Sequence, residues 1–410
     1  MAQAVHRETG IDSVKMLYIA NARIPTEKAH GLQIIKMCAA FARKLDVELV
    51  VPFRLQTKLM KQIADVYDYH AVERKFVIRR LFSFDFTPPL DSRLSYRTQL
   101  LQSMLHWLPS VCFGVVSAIY ALTRAASLVY SRDFLTCFFL LLLRSLHRKK
   151  IFYEAHDFPK TKLGGLLRCM PLCYVDGLIV INGQLKEVYR SHKIPPEKIL
   201  VAPDGVDLQL FSADLQRERA RQELNIPGGK YVLCYTGHLY RWKGVHILAQ
   251  AMKMLPEDCL LYIVGGTLKD ISSLEEFITV ENIPNVVIAG YVSPGLIPGY
   301  LAAADVLVLP NTAGESISRL YTSPLKLFEY MAVRRPIVAS DLPSLREILS
   351  EDNAILVKPD DPAALAEGIR RVMEDRALAD RLAENSSRDA QAYSWEKRAE
   401  TILDFTGGKR

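Results

Sequence analysis

Short apolar runs of three to seven residues alternate with longer amphipathic stretches along almost the whole chain. Val14–Ala20, Val47–Pro52, Phe76–Phe82, Ser127–Ser131, Ile151–Glu154, Gly177–Ile181 and Ile199–Val201 read as buried strands of a first half. The intervening segments carry helical spacing, as in Leu32–Leu45, where Leu32, Ile35, Ala39 and Ala42 share a face. The pattern then restarts. Strands are predicted at Tyr231–Tyr235, Leu260–Val264, Val286–Ala289, Asp305–Leu309, Ile337–Ala339 and Ala354–Val357, again with helices between them. Continuous apolar strands that alternate with helices predict parallel sheets covered on both faces. The expectation is an α/β protein of two Rossmann-like, doubly wound domains. They divide as 1–205, 206–385 and a terminal helical stretch, 386–410, that crosses back to the first domain.

Two runs test for membrane spans. Val111–Leu122 and Phe134–Leu143 are shorter than the ~20 residues a spanning helix needs. They read as core helices, the first bounded by Pro109. Between 55 and 110 the pattern is less regular. A helix over Lys58–Val66, a loop at Pro88-Pro89 and a helix over Arg97–Trp107 are expected. Met1–Ser13 is polar and reads as a loose tail without a secretory leader.

Composition adds limits. With 410 residues, half of them hydrophobic and 24% charged, the chain is long enough for two ordinary domains. The net charge of +7 suits anionic phosphates or an anionic membrane surface. No nucleic-acid-binding module accompanies it, so nucleic acid is not expected as a partner. Seven cysteines sit mostly in apolar runs and form no CxxC pair, which fits reduced thiols of a cytoplasmic protein. Arg144, Arg148, Lys149 and Lys150 follow an apolar helix and suggest peripheral contact with the inner membrane face.

Candidate chemistry lies at the carboxyl ends of the strands, where doubly wound sheets bind ligands. After the first strand, His30-Gly31 precedes a helix. After the fifth, His156-Asp157 follows directly. The second half offers Gly237 and Lys243 in TGHLYRWKG, with Arg241 between them, then Tyr291-Val292. Last comes Tyr321-Thr322-Ser323-Pro324, which opens the helix Leu325–Ala332 with Ser323 as N-cap and Pro324 at the first helical position. Free backbone N–H groups near Ser323–Leu325, where Pro324 itself has none, mark an anion site. Glu329 is placed to take two neighbouring hydroxyls. Phe84-Asp85-Phe86 is not a DxD motif and no His/Asp cluster appears, so no metal site is expected.

The segment LYTSPLKLFEYMAVRRPIVASD resembles the Glu-x7-Glu signature helix of glycosyltransferase family 4, the retaining nucleotide-sugar transferases of GT-B fold. The likeness extends to Lys243 and Gly237 of the diphosphate loop, the Pro203-Asp204-Gly205-Val206-Asp207 crossover, Asp305–Pro310 and Tyr393-Ser394-Trp395. It is strongest over 230–375. Two positions depart from the pattern: Tyr321 stands at the first Glu and His238 at the usual Arg, for which Arg241 is a candidate replacement.

The resemblance implies transfer of a sugar, with retained configuration, from a nucleotide diphosphate sugar to a glycan or lipid-linked acceptor, without cofactor or metal. The base, UDP or GDP, is not given by the sequence. Lys243, Glu329 and His156 would be catalytic. The donor would be held by Gly31, Gly237, Arg241, Lys243, Tyr291, Val292, Ser323, Pro324, Leu325 and Glu329, and the acceptor by His30 and Asp157. A nucleotide-sugar epimerase and a non-catalytic nucleotide-sugar-binding scaffold stand as alternatives.

Overall fold

The structure is a computed structural model describing residues 15–84, 96–159, 161–211 and 216–407. The expected tail at 1–13 and the Pro88-Pro89 loop lie outside them. Among the described residues thirteen strands, β1 to β13, form two sheets. The first sheet comprises β1 (Lys15–Ile19), β2 (Asp46–Pro52), β3 (Val77–Leu81), β4 (Leu128–Ser131), β5 (Lys150–Ala155), β6 (Gly177–Val180) and β7 (Ile199–Val201), in the order β3-β2-β1-β4-β5-β6-β7. The second comprises β8 (Tyr231–Thr236), β9 (Cys259–Val264), β10 (Val286–Gly290), β11 (Val306–Leu309), β12 (Ile337–Ser340) and β13 (Ile355–Val357), in the order β10-β9-β8-β11-β12-β13. The strand pairs described are parallel.

Each sheet reverses its winding once, between β1 and β4 and between β8 and β11. Those reversals are where ligands bind in this architecture. By contacts the chain separates into two units: 1–62, 73–154 and 174–177 in one, 63–72, 155–173 and 178–410 in the other. This partition groups 63–72, 155–173 and 178–205 with 206–410.

Apolar alternation builds the second sheet's two faces. Val232, Cys234, Val264, Leu307 and Ala339 pack on one face and Leu233, Tyr235, Ile263, Val308 and Val338 on the other, all buried. Burial of such side chains on both faces supplies most of the driving force, roughly 1.5–3 kcal/mol each.

Four expectations about helices are corrected. The first helix, α1, is Ala29–Phe41, so His30 and Gly31 lie inside its first turn and not in the preceding loop. Only the short turns Met60–Gln62 and Val66–Tyr69 occupy the region assigned to a helix over Lys58–Val66. Pro109 does not separate two helices. A single helix, Tyr96–Leu122, runs through it. Pro109 removes one ladder bond without stopping the helix, whose following turns pack closely on the helix Phe134–Leu142, with Gly114 against Leu135. Ser117 and Thr136 hydroxyls bond across that contact at 2.8 Å. The fourth correction, at Ser323, belongs to the site. Among the described residues no helix is long and apolar enough to cross a membrane.

Candidate functional site

The loop after β8 is tied down from three sides. Thr236, the last residue of β8, donates its backbone N–H to the Tyr330 hydroxyl at 2.8 Å. Gly237 follows with φ +121° and donates to the Val264 carbonyl at 2.8 Å. Gly265 in turn donates to the Gly290 carbonyl at 2.7 Å, so the ends of β8, β9 and β10 are laced in a row. Trp242 then offers its carbonyl to Thr312 N–H (3.0 Å) and to the Ser318 hydroxyl (3.4 Å), which joins this loop to the loop after β11 across the winding reversal.

Alternate residues of the loop stack. The His238 and Tyr240 rings lie 4.9 Å apart and nearly parallel, and Tyr240 and Trp242 follow at 6.3 Å. The ladder ends on Lys243, whose ammonium sits 3.9 Å from the Trp242 ring centroid. Lys243 is half-buried, and loss of water around its ammonium brings its pKa down to about 7. Gly244 ends the loop at φ +71°, where a Cβ would fall 1.7 Å from the Pro310 carbonyl oxygen. Only glycine fits there. Arg241 is exposed at the start of the same turn and exerts its charge on His246, whose pKa is lowered by burial and by Arg241.

The helix Leu325–Ala332, α12 below, begins one residue later than expected. Pro324 is its N-cap, and no side chain caps it. Ser323 is occupied elsewhere: its hydroxyl accepts the Asp204 N–H at 3.3 Å. Asn182 holds the Leu320 carbonyl at 2.9 Å. Among the described residues no side chain caps the first N–H groups of α12, as an anion site requires. Leu327, Phe328, Tyr330 and Met331 are fully buried and fix the helix on the sheet. Glu329, half-buried, lies one turn beyond Lys326.

Lys326 was not singled out by the sequence. It is 8% exposed, and its ammonium lies 3.6 Å from the Tyr235 ring centroid. A Cβ on Gly237 would be 3.2 Å from the same ammonium. Among the described residues it has no hydrogen-bond partner. Burial and the neighbouring Lys243 charge push its pKa well down, with Glu329 opposing. The signal available in sequence was a lysine three residues before Glu329 in an otherwise apolar helix start.

The remaining candidates are placed as follows. Tyr291 and Val292 directly follow β10, and the Tyr291 hydroxyl bonds to that of Tyr69. His156 is the first residue after β5, and half-buried. Asp157 pairs with Arg168 at 2.6 Å, and its carbonyl takes the Tyr189 hydroxyl at 3.1 Å. Its carboxylate thus has a cationic partner of its own. Gly31 is buried, and a Cβ there would meet the Thr26 methyl at 2.1 Å, so this glycine has a packing reason of its own. The His30 carbonyl accepts from Arg132 at 3.3 Å. The structure thus brings Gly237, Lys243, Lys326 and Glu329 into one neighbourhood. His30 and Gly31 belong to the first unit.

Residues 230–375 match the family model described as glycosyl transferases group 1. A D-inositol 3-phosphate glycosyltransferase of Corynebacterium urealyticum is 30% identical over 234 residues, 54% of this chain and 53% of that protein. A second, from Xylanimonas cellulosilytica, is 26% identical over 233 residues and 54% of each chain. The chain spans about half the length of these curated relatives. In three dimensions it resembles HepE of Anabaena, solved with UDP and glucose, at a TM-score of 0.73 and 18% identity, covering 97% of this chain and 100% of that one. A laced set of strand ends, an uncapped helix start and a desolvated lysine pair lie within the segment that matches the group 1 glycosyl transferase model, and the chain has the GT-B fold of the solved structures it resembles.

Proposed function

We propose that this chain transfers a sugar from a nucleoside diphosphate sugar to a hydroxyl of a glycan or lipid-linked acceptor, with retention of anomeric configuration. The observation that carries this is the convergence of Lys243 on the glycine-laced loop beside the uncapped start of α12, with Glu329 one turn further in. HepE, which shares the fold, was solved with UDP and glucose, and that supports a nucleotide-sugar donor.

In this reading the diphosphate sits on the N–H groups at the start of α12 and against Lys243. Fixed dipoles and a cation, already partly stripped of water, meet the charge that develops on the leaving group. Glu329 accepts hydrogen bonds from the two ribose hydroxyls. The backbone at Tyr291-Val292 takes the base, and His156 positions the sugar. The bond from C1 to the diphosphate oxygen breaks, and the acceptor oxygen bonds C1 on the same face. The acceptor proton passes to the departing phosphate oxygen. His30 and Asp157 are assigned to the acceptor, Asp157 while paired with Arg168.

Peripheral membrane contact would suit a lipid-linked acceptor. Leu163, Leu166, Leu167 and Met170 form an exposed apolar ridge on the helix Lys162–Leu172, beside exposed Lys162. The ridge has the spacing of an interfacial helix.

The test is incubation with UDP- and GDP-linked hexoses and a mixed panel of polyprenyl-phosphate and oligosaccharide acceptors. Products are read by mass spectrometry and the anomeric coupling by NMR. An axial-donor sugar that arrives axial supports the reading. An inverted product contradicts retention, and conversion of the donor to another nucleotide sugar without acceptor points to an epimerase.

A further inference from the structure

A buried, unpartnered ammonium is costly. Lys326 places one in the second half's interior, 8% exposed, against the Tyr235 ring face and, among the described residues, without a hydrogen-bond partner. The ring offers part of the missing solvation through its negative face. It does not replace three hydrogen bonds. A methionine would fill the same volume with no such cost, and buried charges replaced by apolar side chains are often tolerated or stabilising. The position therefore sacrifices stability, and the geometry shows for what. The ammonium abuts the bare backbone of Gly237, where a side chain would come within 3.2 Å of it. Gly237 opens the loop that ends at Lys243. Lys326 is also the second residue of α12, whose first N–H groups have no side-chain cap.

We propose that Lys326 is a second phosphate-binding cation of this site, acting with Lys243 on a nucleoside diphosphate and taking up protons as it binds. The inference rests on the donor-site reading above and adds to it a residue and a linkage. The groups that face Lys326 are Lys243 from the loop after β8, Glu329 from its own helix, and Cys234 and Tyr235 from β8. In the free protein the two lysines repel each other and lack water, so each holds its proton weakly. A diphosphate supplies the opposite charge to both. Their proton affinity then rises, and protons enter with the ligand. The sign follows: affinity is greatest where both lysines are charged and falls as pH climbs above neutrality. The second ionisation of a terminal phosphate, at about pH 6, lies below that window.

The experiment uses the full chain and its Lys326→Met and Lys326→Arg variants. UDP, GDP and ADP are titrated calorimetrically at pH 8 in two buffers of different ionisation enthalpy, with the matching nucleosides as controls. For the nucleotide that binds, Lys326→Met is expected to weaken binding at least tenfold, leave nucleoside binding unchanged, and take up fewer protons. It should unfold cooperatively at a higher temperature than the wild type without ligand. Lys326→Arg should keep most of the affinity. Unchanged diphosphate affinity in Lys326→Met overturns the proposal and leaves the donor-site reading standing. So does a lower unfolding temperature with affinity intact, which would make Lys326 a structural cation resting on Tyr235. Failure of the wild type to bind any of the three diphosphates overturns both.

Discussion

Lys243 has a consequence that reaches beyond ligand binding. Its pKa is about 7 in the folded chain against 10.5 unfolded. Between those values the unfolded state holds more protons, so stability without ligand rises with pH from about 7 toward 10.5. The lysine contributes at most about 1.4 kcal/mol per pH unit to that slope. Lys243→Met removes this contribution, and urea unfolding from pH 7 to 9 should show a flatter profile than the wild type. Tyr330 makes a different prediction. Its hydroxyl is the acceptor for the buried Thr236 N–H, so Tyr330→Phe should cost about 1–3 kcal/mol through one orphaned donor. Some of this residue chemistry was legible in the sequence. Lys243 follows a glycine loop after a strand, and Glu329 lies in a recognisable helix. Lys326 was not legible, because its burial is made by Tyr235 and Gly237, about ninety residues earlier in the chain.

At the scale of elements, the site depends on where loops and helices meet. Gly244 lets the loop after β8 pass against the Pro310 carbonyl at φ +71°. Gly244→Ala has neither the space nor the backbone freedom, and should lose more than about 3 kcal/mol in thermal or urea unfolding. The strands were readable because most are short, largely apolar runs flanked by turn residues. The extent of α12, Leu325–Ala332, was also readable, since its apolar face and following Arg334-Arg335-Pro336 bound it. Its cap was not. Ser323 has the composition of an N-cap, but the Asp204 N–H, distant in sequence, claims its hydroxyl. Pro109 misled for a related reason. A proline in sequence signals a stop, whereas packing of the Tyr96–Leu122 helix on Phe134–Leu142 carries it through.

At the scale of the whole chain, the terminal helix Trp395–Gly407 closes onto the crossover at 202–206. Val206 and Ser394 form a parallel bridge, and buried Arg398 donates to the carbonyls of Ala202 (3.2 Å) and Pro203 (2.9 Å), beside Asp204. Arg398→Ala removes the donor to those carbonyls and the cation beside the buried Asp204 carboxylate, and should cost about 3–5 kcal/mol in urea unfolding. The expectation drawn from Tyr393-Ser394-Trp395 was a tail that crosses back to the first domain; the arginine that anchors it at Ala202 and Pro203 was not expected, since its partners are backbone carbonyls with no signature. The central claim is that a nucleoside diphosphate binds at α12, with Glu329 on its ribose. The most direct measurement is calorimetric titration of the wild type and of Glu329→Ala with UDP, GDP and ADP. The account predicts that one diphosphate binds the wild type and that Glu329→Ala weakens it at least tenfold, consistent with loss of charge-assisted hydrogen bonds worth about 1.5–3 kcal/mol each. Equal affinity in the two proteins, or no binding by a folded wild type, would contradict it.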